Sequence, residues 1–228
     1  MPDPEIRPVT GCIGAEIRGV DLREDLPQST IDTLRAALLE HLVLFFRDQP
    51  ITVEQQVAFT ARFGELVVHP FGPKHPDHPE IIVLDQVAPK GEGADVWHAD
   101  TTYVPEPPLG SVLRAVQLPT TGGDTGFVNM IAAYEALSPP IRELIDDLRA
   151  VHDITGNVVR ANRFGDSSMS LEEALAAWPP VSHPVVRTHP ESGRKALYVY
   201  DVAVSQIEGL TERESQALLP LLCEHVRS

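Results

Sequence analysis

The rhythm of apolar and polar positions changes along this chain in ways that separate strands from helices. Between Ile6 and Leu22 a short alternation carried by Ile13, Ala15 and Ile17 is broken by Gly11, Gly14 and Gly19, which predicts strands joined by a tight turn. Ser29 or Thr30 is placed to cap a helix whose apolar positions Ile31, Leu34 and Leu38 recur at helical spacing, and Leu42 to Phe46 then reads as a buried strand. Thr52 and Gln55 form a capping-box pair opening a second helix, expected to end near Phe63 with Gly64 as its stop.

Strands are predicted at Glu65 to His69 and Glu80 to Asp85, separated by a Pro- and His-rich loop from Pro70 to Pro79 whose prolines exclude regular structure. A turn at Lys90 to Gly93 leads into a predicted strand at Val96 to Tyr103, and further strands are predicted at Ser111 to Leu118 and Thr125 to Met130. Ser138 caps a helix with Pro139 at its first position and Ile141, Leu144, Ile145 and Leu148 on one face. Thr155 to Pro180 lacks strand periodicity and reads as an insertion or lid with a short helix capped by Ser170 and Glu173. Strands follow at His183 to Thr188 and Lys195 to Tyr200 around a turn. Thr211 and Glu214 then open a last helix towards Val226, where Pro220 is expected to kink it or delay its start. Many short strands with peripheral helices predict a mainly β fold of the α+β kind, built on a sandwich or barrel-like core as one domain over residues 1–228.

Charge narrows the partners. With 33 acidic against 18 basic residues the chain carries a formal charge of -15, which repels phosphate backbones and anionic lipids, so neither nucleic acid nor a membrane is an expected partner. An anionic small-molecule substrate would need a few local Arg, Lys or His groups acting against that field. The acidic start and the lack of any apolar run of signal or membrane-span length predict a cytoplasmic protein. Cys12 and Cys223 lack metal-ligand spacing and are expected to be small buried hydrophobes.

The candidate chemistry sits in Val96-Trp97-His98-Ala99-Asp100-Thr101-Thr102-Tyr103. On a strand His98 and Asp100 project from one face and offer a nitrogen and a carboxylate to a single metal ion, two of the three ligands of a 2-His-1-carboxylate site. The pair reads equally as an ordinary strand-end His and Asp, and Trp97 and Tyr103 could wall a small dry site. His75-Pro76-Asp77, His78-Pro79-Glu80 and His189-Pro190-Glu191 repeat the spacing in loops or turns, where they read as solvated polarity.

Ordered motifs go further than spacing. Trp97-His98-Ala99-Asp100, Pro107 to Ser111, Leu118 to Thr125, Ala132 to Ser138, His183 to Pro190 with Gly193 to Tyr198, and Phe63 to Leu66 with His69-Pro70 together resemble the taurine dioxygenase (TauD/TfdA-like) family over essentially the whole chain. The resemblance implies a double-stranded β-helix (jelly-roll, cupin-like) enzyme that uses Fe(II), 2-oxoglutarate and dioxygen to hydroxylate a small anionic substrate. It implies His98 and Asp100 as iron ligands, Thr125 as a hydrogen-bond partner of the 2-oxoglutarate carboxylate, and His69 as a contact to the substrate's anionic head. Gly72 stands where taurine-specific members carry tyrosine, and Ala94 where they carry asparagine. Alkyl sulfates, other sulfonates or arylalkanoates are thus expected ahead of taurine.

In the family, strands beyond the helix matching Thr211 to Val226 supply a distal histidine ligand and the arginine that pairs with the far carboxylate of 2-oxoglutarate. The resemblance makes neither His225, on that helix, nor Arg227 a substitute, so the fold is expected to be C-terminally incomplete. The chain alone is then expected to be inactive or poorly active and to associate through unpaired sheet edges as a homo-oligomer. A remnant without catalysis, serving assembly or ligand binding, is the alternative; a hydrolytic metalloprotein is a third reading, for which no better His or Cys cluster is present.

Overall fold

A computed structural model describes residues 3–84, 96–164 and 169–227. They fall into two compact units, Met1–Leu66 with Leu109–Asn129, and Val67–Pro108 with Met130–Ser228.

The first unit begins with the expected hairpin. β1 (Glu5–Pro8) pairs antiparallel with β2 (Ala15–Arg18), Ile6 opposite Ile17. Helix α1 (Gln28–His41) then connects to β3 (Leu44–Phe46), which lies parallel to β2, a pairing that needs such a crossover. The helix starts ahead of the predicted caps. Pro27, at φ -63, is its cap residue without a side-chain hydrogen bond, and this earlier start turns Thr30, Ile31, Leu34 and Ala37 into the core. In α2 (Val53–Ala61) the Thr52–Gln55 capping box forms in both directions, Thr52 N–H donating to Gln55 Oε1 at 2.8 Å and Gln55 N–H to Thr52 Oγ1 at 3.3 Å. Ile17, Leu34 and Phe59 are buried at the centre, with Phe59 edge-on to both Phe46 and Phe63.

The Leu109–Asn129 part of this unit lacks the strands expected at Ser111 to Leu118 and Thr125 to Met130. Among the described residues it joins no sheet. It is tied down by the Gln56 amide donating to the Val112 carbonyl, the Arg114 guanidinium to the Ile51 carbonyl, the Asn129 amide to the Cys12 carbonyl, and by Phe127 edge-on to Phe45. Alternation predicts a strand only where a neighbour accepts it, and Leu113, Val116 and Leu118 remain exposed here.

In the second unit β4 (Arg149–His152) lies between β5 (Val181–Pro184) and β8 (Val204–Ile207), antiparallel to both. β6 (Val186–Thr188) and β7 (Lys195–Leu197) form a separate hairpin. The predicted strand from His183 to Thr188 is thus divided at Val185, whose N–H donates to the Leu148 carbonyl while its own carbonyl accepts from Tyr198 N–H. One residue leaves one sheet and enters the next. The other expected strands, Glu65 to His69 and Glu80 to Asp85, do not form; a single bridge, Lys74 to Ile82, crosses the Pro-rich loop, where each proline removes a donor. Asp85 and the Lys90 to Gly93 turn lie outside the described residues.

Helices α3 (Met130–Ala136) and α4 (Pro139–Ile145) precede β4, and Ser138 occupies the cap of α4 without a side-chain bond. The Thr155 to Pro180 stretch folds as α5 (Thr155–Phe164) and α6 (Leu171–Ala177), the latter with the expected Ser170–Glu173 capping box. Their Val158 and Ala174 are buried with Phe71, Tyr103 and Ile154. At the end, α7 (Glu212–Arg227) starts at the Thr211–Glu214 box and continues through Pro220, burying Leu222 and Cys223. Cys12, in the turn between β1 and β2, is exposed, contrary to expectation.

The described residues therefore form a mixed α+β fold of seven helices and eight short strands rather than a mainly β one. Their sheets of three, three and two strands do not by themselves make up the double-stranded β-helix that the resemblance implies. Among them, no helix is long and apolar enough to cross a membrane.

Candidate active site

The Val96 to Tyr103 stretch is a run of turns and irregular backbone, not a strand. Pleat geometry is therefore not what brings His98 and Asp100 together. The bend does it: Thr101 sits at φ 57, in the left-handed region, and the two side chains fold towards each other with Nε2 of His98 3.5 Å from Oδ1 of Asp100. A β-branched residue at positive φ is an outlier that costs about 1 kcal/mol or more and persists only where its surroundings impose it.

The tautomer of His98 follows from its other nitrogen. Nδ1 lies 2.8 Å from the Val96 carbonyl, which can only accept, so Nδ1 carries a proton. Neutral His98 then aims a lone pair from Nε2 at a carboxylate oxygen, so two acceptors face one point. Either a proton or a cation relieves that opposition. The Asp100 carboxylate accordingly raises the His98 pKa, against burial, while the His98 imidazole lowers that of Asp100, helped by charge on His69. Arg160, on α5, pulls the His98 pKa down and so adds positive potential here. The two side chains are 39% and 60% exposed and are accessible to an ion. With metal–ligand bonds of ~2.1 Å, adjacent ligands at right angles stand about 3 Å apart, so the pair fits one metal ion as two neighbouring ligands. Among the described residues no third His, Cys, Asp or Glu joins them in a group able to hold a metal.

Behind Asp100 the backbone is held by a buried polar cluster. Thr102 and Tyr103 are both buried. The Thr102 hydroxyl lies between the Tyr200 hydroxyl and Nδ1 of His152, the latter at 3.1 Å, and Nε2 of His183 donates to the Val104 carbonyl at 3.0 Å. His152 stacks on Tyr198, whose ring also carries the Arg187 guanidinium, and meets His183 edge-on at 5.0 Å. Burial pushes the His152 pKa down to about 4, with the charges of His183 and Arg187 acting in the same direction and Asp153 opposing. Burial likewise raises the Tyr103 phenol to about 12 and that of Tyr200 further still. Residue type alone missed His152, although Leu148, Ala150, His152 and Ile154 alternate with Arg149, Val151 and Asp153 in the pattern of a strand with one closed face.

The other predicted residues are scattered. His69 is half-buried in the second unit; its Nδ1 accepts from Phe71 N–H at 3.2 Å, its ring is edge-on to Phe71, and Phe71 packs against Trp178. Gly72 stands at φ +84, a conformation that a tyrosine would adopt only under strain. Ala94 lies outside the described residues. Thr125 belongs to the first unit, exposed on the irregular Leu109–Asn129 segment. His75 and His189 accept from backbone N–H groups of their own turns, His78 meets Glu80 at 3.2 Å, and Nε2 of His225 donates to the Ala133 carbonyl. Trp97 is part-exposed while Tyr103 is buried. A hollow of about 550 Å³ beside α7, lined by Leu137, Pro220 and Leu221 among others, contains none of the predicted metal, co-substrate or substrate contacts.

Comparison with known proteins places the chain in a family. The sequence model described as "Taurine catabolism dioxygenase TauD, TfdA family" matches residues 5–228. The chain belongs to the TauD/TfdA dioxygenase family. An alpha-ketoglutarate-dependent sulfate ester dioxygenase of Pseudomonas putida is 39% identical over 97% of this chain and 74% of its own length. An alkylsulfatase of Acinetobacter baylyi is 36% identical over 97% of this chain and 70% of its own. The crystal structure of a taurine dioxygenase from Burkholderia xenovorans superposes with a TM-score of 0.81 at 38% identity, covering 100% of this chain and 74% of that one. TauD/TfdA dioxygenases use Fe(II), 2-oxoglutarate and dioxygen, the set expected from the sequence. The relatives named here give no support to a non-catalytic remnant.

Proposed function

We propose that the chain works as an Fe(II)- and 2-oxoglutarate-dependent oxygenase on a small organic anion, releasing succinate and carbon dioxide, with His98 and Asp100 as metal ligands. The convergence of the His98 Nε2 lone pair and the Asp100 carboxylate at 3.5 Å carries this reading. Bound iron, with 2-oxoglutarate and dioxygen, supplies the oxidising power: one oxygen atom enters the substrate C–H bond and the other enters succinate as carbon dioxide leaves. The chain's own residues bind and orient. The Val96 carbonyl keeps the proton on Nδ1 of His98 and so frees Nε2 for the metal, and Asp100 stays ionised beside it. Thr125 is assigned the donation of a hydroxyl hydrogen bond to a 2-oxoglutarate carboxylate. His69 is assigned to the substrate's anionic head, with Arg160 adding positive potential against the net charge of -15.

Among anions, sulfate esters come first. Relatives at 39% and 36% identity bear the names of a sulfate ester dioxygenase and an alkylsulfatase, and the positive φ of Gly72 supports a head-group pocket unlike that of taurine-specific members. Hydroxylation at the carbon bearing the ester oxygen gives a geminal hydroxy sulfate, which collapses to an aldehyde and inorganic sulfate. The test incubates the chain with 2-oxoglutarate, air and excess Fe(II), since the two donors that converge among the described residues hold iron weakly and turnover is expected to be low, against a panel of alkyl sulfates, alkanesulfonates and aryloxyalkanoates. Succinate stimulated by alkyl sulfates, with equimolar sulfate, is expected and should disappear in His98→Ala and Asp100→Ala. Succinate unaffected by those substitutions, or by every panel member, overturns the assignment.

A further inference from the structure

We propose that His152 and His183 act as a clamp that positions the Asp100 loop, His152 through the Thr102 hydroxyl and His183 through the Val104 carbonyl. The sheet explains why two imidazoles reach the same loop. Ala150 on β4 stands opposite His183 on β5, and His152 is two residues beyond Ala150 on the same face, so the rings are diagonal neighbours across one antiparallel pair. Their ring centroids lie 5.0 Å apart, and each bonds the segment immediately following Asp100. A third attachment, from the Tyr200 hydroxyl to Thr102, comes from the chain after β7. At His152 the pairing of β4 with β8 also changes register: Val151 faces Gln206 and His152 faces Val204, leaving Ser205 as the extra residue. Irregularities of this kind recur next to active sites, where they aim a side chain.

Asp100 needs such help. Its side chain is largely exposed, its described contact is His98 alone, and the adjoining Thr101 adopts the left-handed conformation that a β-branched residue avoids. The direction of the carboxylate is therefore set by what holds residues 102 to 104, and those residues are held by strands 50 and 79 positions further along the chain. His152 and His183 are positioning residues: their described hydrogen bonds go to Thr102 and Val104 and not to the candidate ligands, and their influence passes through the loop backbone. Groups behind a ligand typically change metal affinity by about 10- to 100-fold when removed.

The inference rests on the reading of His98 and Asp100 as metal ligands, and the experiment separates the two. Co(II) is titrated into wild type, His152→Phe, Thr102→Val, the double variant and His152→Asn, followed by visible absorbance; amide exchange at residues 101–104 is measured in the metal-free proteins. His152→Phe keeps a ring on Tyr198 without nitrogens, and Thr102→Val removes only the hydroxyl, so folding loss in one leaves the other informative. Each is expected to weaken Co(II) about tenfold and to speed loop exchange, the double variant to be no worse than either single one, and His152→Asn, with a polar atom near the Nδ1 position, to recover most of the affinity. Affinity within twofold of wild type in both single variants, with loop protection unchanged, overturns the clamp, as do effects that simply add. Should wild type bind Co(II) no better than His98→Ala with Asp100→Ala, the ligand assignment fails instead, and the exchange of residues 101–104 alone decides the clamp.

Discussion

Acidification tests the buried His152 directly. Its pKa is held at about 4, against 6.5 for an unperturbed imidazole, chiefly by burial. A base whose folded pKa is depressed favours the folded state while neutral, so its contribution is complete above pH 6.5 and is lost as the unfolded chain takes up the proton that the folded chain refuses. Integrated between pH 7 and pH 4.5, a single group with those two values removes about 2 kcal/mol, within the ceiling of ~1.4 kcal/mol per pH unit. Against a typical domain stability of roughly 5–15 kcal/mol that is a large fraction. His183, also lowered by burial, adds in the same direction, whereas His98, raised by Asp100, contributes stability that fades as pH rises through its folded pKa. Carboxylates held low, such as Asp146 beside Lys195, act mainly below pH 4.5. Both tryptophans, Trp97 and Trp178, belong to the second unit, so their fluorescence during urea denaturation reports the unit in question. Wild type should lose about 2 kcal/mol more than His152→Phe between pH 7 and pH 4.5. Parallel pH profiles for the two proteins would refute the argument, because His152 would then be protonated alike in folded and unfolded chains.

Further outcomes follow from single contacts. Gly156→Ala, at the start of α5, would bring its Cβ to 2.1 Å from the Val202 carbonyl, and overpacking of about 1–3 kcal/mol should exceed the ~1 kcal/mol helix-propensity gain, lowering the thermal midpoint. Asp100→Asn removes the largest influence raising the His98 pKa, so the His98 titration followed by NMR should move down; an unmoved resonance would place Asp100 elsewhere in solution. Gly72→Tyr should cost about 1 kcal/mol or more for its positive φ, with Cβ 3.2 Å from Ile82, and should not confer taurine-dependent succinate release. Thr52→Ala deletes one arm of a two-way capping box and should lower stability by about 1 kcal/mol in chemical denaturation.

Local chemistry was legible where neighbours in sequence complete the interaction. The capping boxes at Thr52, Ser170 and Thr211 all form, because each needs only a side chain three residues away. Prediction failed where the partner is distant. Ser111 to Leu118 alternates like a strand and joins no sheet among the described residues, whereas β4, which begins at Arg149 and is followed by Asp153, was passed over although it centres a sheet. Val185 divides a predicted strand because its N–H and carbonyl answer to two different neighbours, Leu148 and Tyr198, which no periodicity encodes. His98 and Asp100 were singled out for their residue types, but the strand geometry offered as the reason for their convergence is absent.

That last discrepancy explains how the site is built. A carboxylate on a strand inherits its direction from the pleat, so two residues suffice to define a ligand pair; on an irregular segment the same two residues carry no fixed direction of their own. Here the direction has to come from attachments further along the loop, and the hydrogen bonds that reach Thr102 and Val104 arrive from β4, β5 and the chain after β7. The division also suits the electrostatics. His98 and Asp100 stay accessible and titratable, whereas the imidazole of His152 is buried and neutral above acid pH, so it bonds the loop without placing a positive charge beside the proposed cation site. If His98 and Asp100 are the ligands proposed, their type can be read from a short motif, while their aim is a property of the sheet behind it.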